Sequence, residues 1–570
     1  MSKKLLAEHV LAGTSVPDLL DEYLEEWLRN QTCMIAGHEQ QAIIELVRSA
    51  DLHAYFLHFF RSPELTADFA HKCSMIRIGL VPFLRILLPQ LEQFGDGIPW
   101  QPSTEGRASW ADNVLNDCGE LTLLRRLAAG ERYGLVQCMA HSRNHVSIRI
   151  LATDDDALDR ADQVWLSNRI HEGQRELLDD LSRQMLGWAR DRIDRYVGID
   201  RDHFIQYDSD LELLALYQRQ VRCLLSGSPE ADALPDHVRL GPFTFGEWKE
   251  IAVTGAARAL LHISFATRLS MLNKGKLDLR NLLTIFVRHE DLREVWSEQT
   301  GVGCEKTLDQ ISDIFMMTSE HAEDYFVSQD SPLPYNIRFG RYFALLPQFG
   351  YLNNTCSFLA AQLKRKYRRD WDSAVNYREA TFQSDLHTLL SLPVYQRGRD
   401  NFVIQRPCGA RDTDIDAVLY ETSTKCLYLF QLKWFDIFEY NWKERQSKIT
   451  NLLKANRWVD QVIAWHTSRS PEAIVSELGL ERSSAKPLLD IRLIVLTRTS
   501  ARFGGLHDFD KRAAWISWPQ LCRIVSENKE CIAPLELAWQ TAGMKKDSQW
   551  EASRIPTTYD FPGLQVDVYR

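Results

Sequence analysis

The sequence predicts a multidomain α + α/β chain, in which a large, mainly α-helical N-terminal region precedes a smaller α/β region. Three observations carry this expectation. The chain has 570 residues, more than one hydrophobic core usually serves, which suggests about two to four domains. Up to about residue 370, apolar residues recur at spacings of three and four, the period of an amphipathic helix. Between about 377 and 498 the period changes, and apolar runs of strand length stand between helical ones.

Taken in order, residues 16–30 repeat apolar residues at helical spacing and carry acids early, which suits a helix dipole. Further helices are expected at 38–61, 78–95, 106–129 and 155–197. The alternation from His145 to Ala152 predicts a short strand, and with it a small mixed module near 130–153. A loop from Ser226 to Asp236, rich in Gly, Ser, Pro and Asp, marks either a boundary or a long connection. Helices resume at 245–273, 278–299, 304–326 and 354–371, the last closing on the basic run Lys364, Arg365, Lys366, Arg368 and Arg369. That charge suits either phosphate contact or a helix C-terminus. Strands follow at 401–406, 413–420, 427–434 and 490–497, with a helix at 442–466. Ala514 to Val525 reads as a strand entering a helix at Ser517 and Pro519. The stretch 541–570 shows no clear period and is expected to run over the surface. The expected units are 1–230, 231–370, 371–530 and a C-terminal extension, 531–570.

Composition narrows the function classes. An apolar content of 45% with 25% charged residues is that of an ordinary soluble globular protein. The net charge of −10 argues against wholesale coating of nucleic acid. Its distribution is uneven: residues 371–570 hold 26 Lys and Arg against 25 Asp and Glu, and residues 1–370 hold 41 against 52. Eleven cysteines without any Cys-x-x-Cys read as reduced core residues of a cytoplasmic protein. The first nine residues lack the apolar stretch of a signal peptide, and the apolar run Ile76 to Pro89 is too short and too interrupted to span a bilayer. No Walker A loop, Gly-x-Ser-x-Gly elbow or His-Glu-x-x-His helix occurs, so NTP hydrolysis, acyl transfer by that route and zinc proteolysis find no support.

The chemistry concentrates on two apolar strands separated by a polar turn. Alternation along 413–420 would place Asp414 and Asp416 on one face, with Ile415, Ala417 and Leu419 on the other. Along 427–434 it pairs Gln431 with Lys433, opposite Phe430, Leu432 and Trp434. A carboxylate facing an amide oxygen and an ammonium on rigid strands can hold one hard cation beside a positioned water. Magnesium needs only one or two protein carboxylates because it keeps several waters. A second acid is expected from the helical run 377–390, where Glu379 shares a face with Gln383, and Asp385 is the alternative. His387, His466 and His507 have no ligand spacing and are expected to be structural.

A helical Glu, an Asp at a strand, a strand ending in Gln-x-Lys and then a basic helix resemble the PD-(D/E)XK nuclease superfamily, most of all its Mrr-type members with Gln-x-Lys. The likeness covers about residues 377–498. It implies a restriction-endonuclease-like α-β-β-β-α-β core in which Asp416 matches the metal-binding Asp, Gln431 the usual Glu, Lys433 the catalytic Lys and Glu379 the helical Glu. The chain departs from the pattern in having Ile415 before Asp416 in place of Pro, and Gln431 in place of an acid. The resemblance implies Mg²⁺, with Mn²⁺ as an alternative, held by Asp416, Gln431 and Glu379. Hydrolysis of phosphodiester bonds, with DNA the expected substrate, would follow. Phosphate contacts are expected from Lys443, Arg445, Lys448, Lys454 and Arg457. The helical part would be a sensing, partner-binding or oligomerising region, in the setting of restriction or anti-phage defence. The alternative is a nuclease-like fold that has lost catalysis and serves as a scaffold binding nucleic acid or a protein.

Overall fold

The computed structural model describes residues 15–59, 67–91, 97–142, 144–151, 155–208, 210–322, 333–352, 355–391, 393–406, 408–436, 442–480, 490–501, 508–528, 533–543 and 555–569. The first nine residues, His507 and the end of the helix expected over 304–326 lie outside them. Val16–Met34 (α1) begins where the side chain of Ser15 accepts from the Asp18 amide, with proline in the first turn. Glu39–Phe59 (α2), Ala67–Leu91 (α3) and Glu105–Ala129 (α4) pack with it around a common apolar centre. α3 and α4 meet closely at two glycines. A Cβ on Gly79 would lie 2.1 Å from the Leu115 carbonyl oxygen, and one on Gly119 1.9 Å from that of Met75. α3 is long and apolar enough to cross a bilayer, yet 61% of its most apolar window is buried inside the protein. Its apolarity therefore serves packing.

Val136–Ser142 (β1) and His145–Ile150 (β2) form an antiparallel hairpin, matching the strand and small mixed module expected there. The helix expected over 155–197 is interrupted. Asp155–Gly173 (α5) gives way to Arg175–Gln184, a π-turn at Met185–Ala189, and Arg190–Tyr196. The long Phe245–Leu272 (α6) is started by a capping box in which Thr244 and Glu247 satisfy each other's amides. The helix expected over 278–299 is split by a strand, Ile285–Arg288, which pairs with Phe343–Leu346. Its β-branched and aromatic residues favour a pleated surface, and neighbouring helical periodicity concealed them. Thr355–Lys366 (α7) closes the region. Residues from Val16 to Ala374 share one hydrophobic cluster, on both sides of position 230.

The C-terminal unit opens with Asn376–Leu389 (α8) and continues through Tyr395–Arg397 (β3), Phe402–Gln405 (β4), Arg411–Ile415 (β5), Ala417–Glu421 (β6) and Cys426–Lys433 (β7). Trp442–Leu453 (α9), Ala455–Thr467 (α10), Asp490–Thr497 (β8), Ala513–Ser517 (β9), Trp518–Glu527 (α11) and Pro534–Gly543 (α12) complete it. Five strands form one mixed sheet in the order β3-β6-β7-β8-β9. β6 is antiparallel to β3 and β7, whereas β8 runs parallel to β7 and β9. Both faces are covered. Val418, Leu429, Leu493 and Val495 pack with Trp458 and Val459 of α10, while Leu419, Phe430, Ile494 and Leu496 pack with Phe382 and Leu386 of α8 and Leu521 of α11.

Three expectations change here. The strand expected at 401–406 is not part of the main sheet: β4 pairs only with β5, and β3 takes the sheet edge. The strand expected at 413–420 breaks at Asp416, so Ile415 joins the face of Val418 while Ala417 and Leu419 face the other way. The helix expected over 442–466 turns at Lys454 and becomes two.

The largest difference concerns the end of the chain. In place of a surface-running tail, Thr557–Phe561 (β10) and Leu564–Tyr569 (β11) form a hairpin. Pro562 and Gly563 make its turn, with Gly563 at φ +85°. β11 lies parallel to β2 and completes a four-stranded sheet, β1-β2-β11-β10, on the helical region. Phe561, Leu564, Val566 and Val568 enter the same core as α1, and the Tyr23 hydroxyl donates to the Pro562 carbonyl at 3.0 Å. The alternation of these residues about a Pro-Gly turn was a hairpin signal present in the sequence. Leu564→Ala is expected to destabilise the helical region by about 2–5 kcal/mol, against no more than ~0.5 kcal/mol for Ile555→Ala in the same strand's approach. Denaturant unfolding measures both; Ile555 is 82% exposed and Leu564 buried.

Candidate functional site

The site forms where the chain passes from the small β4–β5 sheet into the main one. Asp416 is the single residue between β5 and β6. Its amide donates to the Phe430 carbonyl at 2.9 Å, and its own carbonyl accepts from the Asn401 amide at 3.2 Å and from Gln383 Nε2 at 2.7 Å. Gln383 also donates to Asn401 Oδ1 at 2.7 Å. Backbone polar groups at a strand break need such partners when buried. α8 therefore contributes to the site twice: Gln383 fixes the backbone of Asp416, and Glu379, one turn earlier, faces the same way.

The Asp416 side chain is almost wholly enclosed, at 1% exposure. Its Oδ2 accepts from the Leu432 amide at 2.6 Å and from Gln431 Nε2 at 2.5 Å. Among the described residues its Oδ1 accepts no hydrogen bond. Burial pushes the Asp416 carboxyl up to about 7, and the nearby Glu379 charge adds to this, while Lys433 and the two hydrogen bonds oppose it. The carboxyl of Glu379 is likewise raised, by crowding from the surrounding protein and by Asp414, against the pull of Lys433 and Arg411. The structure thus brings Glu379, Asp416 and Lys433 into one electrostatic neighbourhood. Neither the Glu379 carboxyl nor the Lys433 ammonium makes a hydrogen bond or ion pair among the described residues. By contrast, Asp414 is paired with Arg411, and Asp385, the alternative to Glu379, is bound by Arg498 at 2.7 Å.

Gln431 is placed beside Asp416 as expected, but it presents its amide nitrogen and not its oxygen. Asp416 Oδ2 is an acceptor here, so the amide turns its donor toward it. Among the described residues there is no cluster of three or more His, Cys, Asp or Glu able to hold a metal ion. Among the described residues Asp416 Oδ1, the Glu379 carboxyl and Gln431 Oε1 accept no hydrogen bond. Two carboxylates and an amide oxygen suit a hard cation that keeps most of its waters.

Of the five cations expected to contact phosphate, Lys443, Lys454 and Arg457 are exposed, and Arg445 and Lys448 are buried. Arg445, Lys448, Ile449 and Leu452 share one face of α9, and that face packs onto the core. Lys448 donates to the Asp436 carbonyl, and Lys454 to Asn451 Oδ1 at 2.7 Å. The basic run ending α7 is also engaged internally. Lys364 pairs with Asp436 at 2.6 Å, Arg365 and Lys366 with Asp313 at 3.2 and 2.6 Å, and Arg368 with Asp372 at 3.0 Å. These contacts pair four of the five cations that sequence reading left between phosphate contact and helix-dipole roles; Arg369 is exposed. His387 is held by Asp400 at 3.1 Å, in keeping with a structural role.

Sequence reading missed Asn401, Asp436 and Arg498. Gln383 was visible at one helical turn from Glu379, but its contact with a strand break had no local signal. No family model matches this chain, and comparison with curated proteins and with solved structures likewise finds no match.

The raised Asp416 carboxyl has a consequence for stability. Its folded-state value lies above that of the unfolded chain, so the native protein keeps a proton that the unfolded chain has released. Stability therefore falls as pH rises from about 4 to about 7 and is level beyond. In EDTA, Asp416→Asn is expected to remove this part of the decline. Its stability relative to wild type should grow across that window by on the order of a few kcal/mol, as measured by denaturant unfolding at several pH values.

Proposed function

We propose that this chain is a metal-dependent nuclease whose active centre is Asp416, Glu379, Gln431 and Lys433. The observation that carries the reading is the proximity of Glu379, Asp416 and Lys433, whose Glu379 carboxyl, Asp416 Oδ1 and Lys433 ammonium are free of fixed partners among the described residues, by the C-terminal end of β7, the middle strand of the mixed sheet. Asp416 is buried, and a buried carboxylate oxygen without a donor is uncommon outside functional sites, while Glu379 is exposed and Lys433 half-buried beside it. The order of elements supports the resemblance: a helix bearing Glu379, an antiparallel pair bearing Asp416 and Lys433, then helices leading to a parallel strand.

Magnesium would be held by Asp416 and Glu379, with Gln431 Oε1 in reach, and when bound would polarise a phosphate and lower the pKa of a water. The protein's own groups do the rest. The Leu432 amide and Gln431 Nε2 keep Asp416 Oδ2 turned inward, which directs Oδ1 to the open side. Lys433 orients the attacking water and compensates charge building on the phosphoryl oxygens. Lys443, Lys454 and Arg457 remain available for backbone phosphates. DNA is the substrate favoured by analogy with restriction-type enzymes, and the helical region would restrain or direct cutting in a defence setting.

One observation favours a non-catalytic scaffold instead: Gln431 already donates to Asp416, so one carboxylate oxygen is satisfied without any cation. Cleavage of plasmid and single-stranded DNA separates the two readings. With Mg²⁺ or Mn²⁺ the wild type is expected to cut, EDTA to abolish cutting, and Asp416→Ala or Lys433→Ala to lower the rate by at least ~100-fold. Binding without cleavage in every metal would establish the scaffold reading.

A further inference from the structure

We propose that Arg498 is a positioning residue that fixes Lys433 against the helix bearing Glu379, and that Asp232 makes this fixation depend on docking of the helical region. The proposal rests on the nuclease reading for its catalytic consequence, but its geometry stands apart from it.

Arg498 follows β8 directly, and its amide donates to the Lys433 carbonyl at 2.8 Å, extending the parallel ladder by one bond beyond the last paired strand residue. Its guanidinium then turns into a cage of three rings, 4.5 Å from the centre of Trp434 and 5.3 Å from those of Phe382 and Trp518. Nη1 donates to Asp385 Oδ2 at 2.7 Å. Phe382 and Asp385 belong to α8, which also carries Glu379 and Gln383, and Trp434 is the residue after Lys433. One side chain thus joins the Lys433 strand end, the Glu379 helix and α11. A planar fork stacked on aromatic faces and bonded at its edges holds such an arrangement in a way that a flexible ammonium cannot.

The remaining edge of the guanidinium is taken from outside this unit. Nε and Nη2 lie 2.7 and 2.6 Å from Asp232 Oδ2, in the turn before α6 of the helical region. The neighbouring Ala233 carbonyl accepts from Arg378 Nε at 3.0 Å, so the same turn grips the end of the unit twice. Asp232 and Arg498 line a cleft of about 790 Å³ between this turn, α8 and α11. Contacts that border an open cleft can separate without opening a packed core. Release of Asp232 would leave Arg498 with one carboxylate partner and loosen the strand end from which Lys433 projects, and an error of about 1 Å at such a group costs on the order of 100-fold in rate.

The test uses the full chain as wild type, Arg498→Lys, Arg498→Ala and Asp232→Asn. Lysine acetylation by a dilute acylating reagent, read by mass spectrometry, compares Lys433 with the exposed Lys454. Single-site kinetics on DNA, with thermal melting alongside, supply the second reading. The expected result is a several-fold rise of the Lys433:Lys454 labelling ratio in Arg498→Ala and Asp232→Asn, smaller in Arg498→Lys, with kcat lowered by ~10–100-fold and KM changed by no more than about twofold. Should Arg498→Ala fail to fold, the two milder variants decide. An unchanged labelling ratio in the Arg498 variants overturns the positioning role, whatever happens to melting. A shift in those variants but none in Asp232→Asn overturns the dependence on the helical region. If the wild type does not cut DNA, the nuclease reading fails while the labelling still decides this one.

Discussion

Between β5 and β6 the chain leaves one small sheet and enters another, and Asp416 is the residue at the crossing. A strand running straight through would have turned its carboxyl toward the hydrophobic layer that Ile415 or Ala417 occupies. The break re-aims it, as an extra residue in a ladder does. Five partners then hold it: Phe430, Asn401, Gln383, Leu432 and Gln431. Enclosure without full satisfaction keeps the carboxyl poised near neutrality, with one oxygen uncommitted. The proposed chemistry follows from that incompleteness. Glu379 and Lys433 matter because α8 and β7 bring their charges close enough to act on the Asp416 carboxyl.

Close to this small available set, several charges are held in pairs. Asp436, three residues beyond Lys433, receives Lys364 from the helical region and Arg378 from α8. Burial alone would raise its carboxyl, yet Arg378 and Lys364 hold it well below the usual carboxylate range. Such a cluster is costly to break because each lost partner leaves a buried charge behind. Together with Arg498 and Asp232, it ties the segment after Lys433 to the helical region at two points. α5 adds a third tie, through Asp162 to Arg523 of α11 at 2.9 Å. The acidic character of residues 1–370 thus has a local use: Asp162 and Asp232 meet cations of the C-terminal unit.

Much of this was legible in the sequence, and the limits have physical causes. The strands 427–434 and 490–497 were clear because strands of a sheet covered on both faces read as near-continuous apolar runs. Asp416, Gln431, Lys433 and Glu379 were named from strand and helix periods together with the resemblance, whereas the break at Asp416 that sets its direction had no local signal. The orientation of the Gln431 amide could not be read, since it depends on the neighbouring carboxylate. The burial of Arg445 and Lys448 was hidden by their charge, although Ile449 and Leu452 at helical spacing marked the buried face. The terminal hairpin was overlooked because its alternating pattern follows a stretch without period. Its partner strands lie more than 400 residues earlier. Arg498 had no signal at all, because its five side-chain partners come from four distant segments.

In the proposed site the uncommitted oxygens of Asp416 and Glu379 hold a cation within reach of Lys433. Anomalous scattering from crystals soaked in Mn²⁺ tests it most directly. The account predicts an anomalous peak about 2–2.3 Å from Asp416 Oδ1 and near the Glu379 carboxyl, lost in Asp416→Ala crystals. A peak elsewhere, or an Asp416 carboxyl that takes up no Mn²⁺ at a pH above its titration, would contradict it.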